Sequence, residues 1–211
     1  VEANRNFANK MWNAGRFITN ALANLQPARL EENPDWTLAD SWVWARRQAL
    51  VRDVERLFQG YQFGEAGRQI YEFFWSDFAD WYIEIAKQQL EQGGQCAYTT
   101  AYGLVRVFDT CLRLLHPFIP FVTEELWGHM KRAVLSSPLA ADLPDWPEAL
   151  IIAPWPEVKA EENWEAAALS EFSLLQDIIR SVRNLRERLA RVHGDPSRPL
   201  RMAHHFSLAP G

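Results

Sequence analysis

Hydrophobic side chains recur along this chain at steps of three and four, the spacing that gathers them on one side of an α-helix. The densest such stretch is IYEFFWSDFADWYIEIAK, residues 70–87. At about 100° per residue, Tyr71, Phe74, Trp75, Phe78, Trp81, Tyr82 and Ile85 fall in one stripe. Large side chains of this kind are worth roughly 1.5–3 kcal/mol each when buried, so this stripe predicts the central helix of an all-α helical bundle. Glu72, Ser76, Ala79, Asp80 and Lys87 take the opposite side, with Ile83 among them as an apolar exception. Ile83 therefore calls for a role other than core packing.

The same pattern predicts the neighbours. Residues 2–25 read as a first helix, ended by Pro27, with Phe7, Met11, Ala14, Ile18, Leu22 and Leu25 turned inward. A linker holding Pro27, Asn33 and Pro34 leads to a second helix from Thr37 to about Gln59. Its Arg46, Arg47, Arg52 and Arg56 are expected to be solvated and paired with Asp53 and Glu55. Gly60 and Gly64 mark the turn into the central helix, which ends near Gly93 and Gly94. Thr99 or Thr100 is expected to cap a fourth helix, broken by Pro117, and Pro120 suits the first turn of a fifth. His116, beside that break, reads as a structural hydrogen-bonding residue. The bundle is thus expected over 1–135. Residues 136–160 are an irregular Pro/Trp-rich excursion laid back by Ile151, Ile152 and Trp155. A long helix over 161–192 packs on the bundle through Leu175, Ile178, Val182, Leu185 and Leu189, and 193–211 begins a linker with the look of an unfinished strand.

Composition narrows the chemistry. A chain of 211 residues with 48% hydrophobic content can build a real core. It has no apolar run of membrane-spanning length and no charged-then-apolar opening, so the expected location is the cytoplasm, away from membranes. Cys96, Cys111 and five scattered histidines match neither a disulfide framework nor a metal site. The net charge of −5 argues against coating nucleic acid by bulk electrostatics. Between Arg180 and Arg201, however, seven arginines face only Glu187 and Asp195. Arg180, Arg183 and Arg191 on the outer side of the last helix could hold phosphates, or could simply complement the end of a solvated helix.

The first helix carries a more specific signal. Asn6, Asn9, Asn13, Arg16 and Asn20 form a column, with Lys10 and Phe17 beside it. Asparagine is a poor helix former because its side chain competes for backbone hydrogen bonds, so four in register cost stability. Such a face suits unstacked RNA bases, whose edges accept and donate and whose faces stack. A solvated face, or one docked on another domain, explains the pattern too.

Five blocks then support a resemblance: NRNFANKMWNAGRF (4–17), YEFFWSDFADWYIEIAK (71–87), CLRLLHPFIPFVTEELW (111–127), IIAPWPE (151–157) and IIRSVRNLRERL (178–189). In this order they resemble the anticodon-binding domain of the valyl-tRNA synthetase family, of class I. The resemblance implies a helical bundle that reads the anticodon loop of valine tRNA. It implies that Lys10, Arg16 and Phe17 approach anticodon bases, with Asn13 on the same side, and that Ile83 approaches one as well. It implies no catalytic residue and no cofactor here. ATP and Mg²⁺ would serve the catalytic domain of a parent ligase, which together with an editing domain would be this chain's partner. The chain departs from the family wording at Gly15, Ala79 and Asp40-Ser41-Trp42, and Gly15 is expected to let a base come close. The alternatives are a bracing scaffold, or the same domain from an isoleucine or leucine enzyme.

Overall fold

The computed structural model describes residues 2–31, 34 and 36–192, and side chains between residues 5 and 188. The tail with His204 and His205, the unfinished strand, and the side chains of Leu189 and Arg191 lie outside the described residues. Every regular element among those described is helical: α1 (Glu2–Ala23), α2 (Leu38–Gln59), α3 (Phe63–Glu72), a π-helical segment (Phe73–Tyr82), α4 (Ile83–Gln92), α5 (Gly94–Leu115), α6 (Pro120–Leu135), short 3₁₀ turns at Pro138–Ala141 and Leu150–Ile152, and α7 (Asn163–Val192). The chain is an all-α bundle.

Its centre is α5, which packs against α1, α2, α3, α4 and α6. GQCAYTTAYGLVRVFDTCLRLL is apolar or small on nearly all sides, as a helix buried all round must be. Gly103 shows why small residues are needed: a Cβ there would sit 2.8 Å from the Tyr82 hydroxyl. Thr99 and Thr100 are buried inside α5 and do not cap it. The backbone turns at Gly93 and Gly94, whose φ of +72° and +57° only glycine adopts freely, and α5 starts at once.

α3, the π segment and α4 follow one another without a break. Hydrogen bonds from i to i+5 make each residue turn less about the axis than an α-helix residue does. Ten such residues rotate all that follows. Burial accordingly runs in steps of four through Ile70, Phe74, Phe78, Tyr82 and Ala86, joined by Phe73. Tyr71 is exposed, and Trp75, Trp81 and Ile85 are only half-buried. Ile83, expected outward, is turned into the core.

The ends of the elements are tied by polar contacts. Thr37 and Asp40 form a capping box for α2. Asp40 also accepts from the Tyr82 hydroxyl at 2.7 Å and from Gln89 Nε2 at 3.1 Å. Burial, reinforced by the Asp40 carboxylate, pushes the Tyr82 hydroxyl well above its ordinary range. Pro120 occupies the first turn of α6, where His116 Nδ1 meets Thr123 Oγ1 at 2.9 Å. Leu139, Leu143 and Leu150 anchor the irregular excursion, whereas Ile151 and Ile152 are 72% and 65% exposed. A 3₁₀ turn offers one side to a single residue in three, and Leu150 takes it in place of the expected pair.

The chain divides into two compact units, Val1–Phe172 and Ser173–Gly211. In the first, α7 begins with Glu165 fully buried and Phe172 stacked on Trp42 at 4.0 Å. In the second, the described part is the rest of that helix. Its Leu175 is half-buried and Ile178, Val182 and Leu185 are exposed. A single helix has nothing of its own to cover such a stripe.

Candidate nucleic-acid interface

α1 has two unlike sides. Phe7, Met11, Ala14, Ile18 and Leu22 are buried, whereas Asn6, Asn9, Asn13, Arg16 and Asn20 are all exposed. Gly15 belongs to the inner side. A Cβ there would lie 3.1 Å from Leu126 Cδ2 and 3.4 Å from the Phe108 ring, so it serves close packing on α5 and α6 and leaves no opening for a base.

Within the column, Arg16 Nη2 donates to Asn13 Oδ1 at 3.3 Å. This contact holds both side chains on the outer face. Phe17 follows, half-buried, so its ring is partly fixed and partly available. Lys10 is engaged differently: its ammonium pairs with the Asp80 carboxylate and lies 4.0 Å from the centre of the Trp75 ring. The structure therefore brings Lys10, Asn13, Arg16 and Phe17 together on one helix. It does not present Ile83, which is 6% exposed, as an open contact surface.

Trp75 and Asp80 border the site although spacing along the chain did not single them out. Helical spacing alone places Trp75 in the core, and the π segment carries it to the rim. No pattern within 70 residues of sequence separation reveals that Lys10 meets Asp80.

The arginines of α7 are exposed where described. Arg180 pairs with Asp177 at 3.1 Å, and Arg183 is exposed as well. Those of α2, expected to be solvated, divide evenly: Arg46 and Arg56 are exposed, whereas Arg47 and Arg52 are half-buried. Arg46 pairs with Asp77, and Arg52 with the buried Glu165. Arg47 donates to Thr110 Oγ1 at 2.7 Å and lies over the Trp44 ring. Burial, with Arg106 nearby, lowers the Arg47 guanidinium to about 10. Arg56, paired with Asp53, fits the expectation. The described residues contain no cluster of three or more metal-ligating side chains, and no helix among them is long and apolar enough to cross a membrane.

Residues 40–198 match the family model for the anticodon-binding domain of tRNA ligase. Valine–tRNA ligase of Geobacillus stearothermophilus is 42% identical over 201 residues, 95% of this chain and 21% of that protein. The Enterococcus faecalis enzyme of the same name is 41% identical over the same shares. That of Bacillus cereus is 42% identical over 187 residues, 88% of this chain and 20% of the relative. The chain thus spans about a fifth of the length of the curated relatives it matches. The family model starts inside α2, but the longest pairwise matches leave about ten residues of this chain unmatched and so reach into α1. By the family match across most of its length, with the helical bundle to go with it, the chain belongs to the anticodon-binding domains of tRNA ligases.

Proposed function

We propose that this chain recognises the anticodon loop of valine tRNA on behalf of a catalytic domain outside it, and that the outer side of α1 makes the contact. The observation that carries this reading is the exposed Asn13–Arg16 pair with Phe17 beside it, in a chain of the anticodon-binding family and similar to valine enzymes. Phe17 stacks one splayed base, a contact worth about 1–3 kcal/mol. Arg16, already steered by Asn13, gives planar donors to a base edge or phosphate with little ordering left to do. Lys10, held beside Asp80 and Trp75, offers its ammonium to a base edge or phosphate. A wrong base leaves a polar group unpaired, at a cost of about 1–3 kcal/mol. Ile83 is left out of the contact set because it is core. Arg180, Arg183 and Arg191 add phosphate contacts that carry no sequence information. The chain needs no cofactor for this. ATP and Mg²⁺ belong with the parent's ligase chemistry, in the cytoplasm, where the other domains of the parent are its partners.

The test is titration of labelled valine tRNA, and of the same tRNA with an altered anticodon, against the chain and its Lys10→Ala, Arg16→Ala and Phe17→Ala variants. The expected result is tenfold or greater preference for the native anticodon, about 1.4 kcal/mol, reduced in each variant. Equal binding of both tRNAs would leave a bracing scaffold as the reading. Preference for isoleucine or leucine tRNA would reassign the cognate.

A further inference from the structure

Beside the amide column, Tyr71 and Trp75 lie ring on ring, centroids 5.7 Å apart and planes within 19°. Tyr71 is 38% exposed although its ring is large and apolar. Phe7, buried in α1, supports it from below at 4.6 Å and is itself wedged against Phe74 at 5.5 Å. This shelf is therefore rigid, open at its rim and continuous with the outer side of α1. The face of Trp75 is occupied by Lys10, whose ammonium is held by Asp80. An ammonium over an indole ring is drawn there by the ring quadrupole and takes the position that a base, held by dispersion and apolar burial, would take. Phosphates compete for that ammonium.

We infer that Tyr71 and Trp75 form a second base-stacking platform, latched by Lys10 and Asp80 until RNA draws the lysine away. The inference rests on the anticodon reading above and goes beyond it by naming a second base position. Lys10 and Phe17 are seven residues apart, about 10 Å along α1. Stacked neighbours in one strand lie about 3.4 Å apart, so the two platforms serve different bases of a splayed loop. Asp80, whose carboxylate is half exposed, holds the lysine against the pull of phosphate.

The experiment is a cycle between protein and RNA. The anticodon stem-loop of valine tRNA is made with one abasic site at each loop position in turn and titrated against the wild-type chain, Trp75→Leu and Trp75→Phe. Trp75→Leu is expected to weaken the intact loop five- to tenfold. At one loop position the abasic change should weaken wild type by a similar factor, Trp75→Leu by less than twofold, and Trp75→Phe nearly as much as wild type. Asp80→Asn is expected to tighten binding of this loop and of an unrelated hairpin alike, two- to fivefold. Should Trp75→Leu lose its thermal unfolding transition, Tyr71→Leu replaces it in the cycle. Abasic costs that are the same on every variant, or intact-loop binding unchanged by Trp75→Leu, overturn the platform while leaving the anticodon reading standing. Unchanged hairpin binding by Asp80→Asn overturns the latch. If wild type binds the valine loop no better than the unrelated hairpin, the anticodon reading itself falls and the platform with it.

Discussion

On α1, Asn6, Asn9 and Asn20 make no side-chain hydrogen bond to another element among the described residues, and Asn13 and Arg16 bond to each other. On α2, four arginines reach Asp77, Thr110, Glu165 and Asp53, and all of these but Asp53 lie on other elements. In sequence both are simply polar positions on a helix. The first set is left facing solvent, whereas in the second Arg47 and Arg52 are tied into the fold and Arg56 stays outside. A helix tolerates amides and guanidinium groups for either reason, and only their partners tell which. Where partners come from distant elements, as for Arg52 and Glu165, the polar face is structural. Where they are local, the face is free to meet a ligand.

The sharpest way to break this comparison is Arg52→Ala. Arg52 Nη2 donates to Glu165 Oε2 at 2.7 Å, and Glu165 is completely buried while also accepting from the Glu162 backbone N–H at 3.2 Å. Removing the guanidinium strands a carboxylate away from water, a loss of about 3–5 kcal/mol. Urea denaturation should show it as a large fall in midpoint. Arg16→Ala, on the face held to be free, should change the same midpoint by no more than about 0.5 kcal/mol.

The origin of these errors and successes is physical. Helix order, the α2 start at Thr37, the α6 start at Pro120 and the role of His116 were legible because each depends on local chemistry: a polar residue before an apolar run, a ring without a donor, a side chain beside a break. Ile83 departs from a fixed 100° period because it follows a segment whose turn is wider. Arg47 and Arg52 were misplaced because Thr110 and Glu165 are far along the chain. The α1 column was legible because a free face is defined by what its own helix leaves outside. Lys10's partners were not, since they sit on another element.

A milder test concerns Asp77, which receives Arg46 Nε at 2.8 Å. Burial raises the Asp77 carboxyl above its ordinary value, and Arg46 opposes that only in part. With the folded value raised, the protonated form is favoured in the fold. Its contribution is fully present below the unfolded value of about 3.9 and is lost as pH rises through the folded one. The wild type's margin over Asp77→Asn should therefore shrink as pH rises above about 3.9, followed by denaturation at each pH. A margin that grows over that range would mean the Arg46 pair outweighs burial, and α2 would be tied down more tightly by charge than its geometry indicates.

The smallest effect is also the best control. Arg56 is exposed and paired at 2.9 Å with Asp53, three residues back on the same helix. Such pairs contribute about 0.3–0.5 kcal/mol, so Arg56→Ala should barely move the unfolding midpoint. It should also leave the affinity for valine tRNA within twofold of wild type at constant salt, because the outer side of α1 is where the loop is read. Arg16 and Arg56 have the same side chain, the same charge and comparable access to water, and differ in the helix that carries them. If the two alanine variants weaken binding equally, RNA is being held by charge wherever charge is exposed, and the distinction between the two faces has no bearing on recognition.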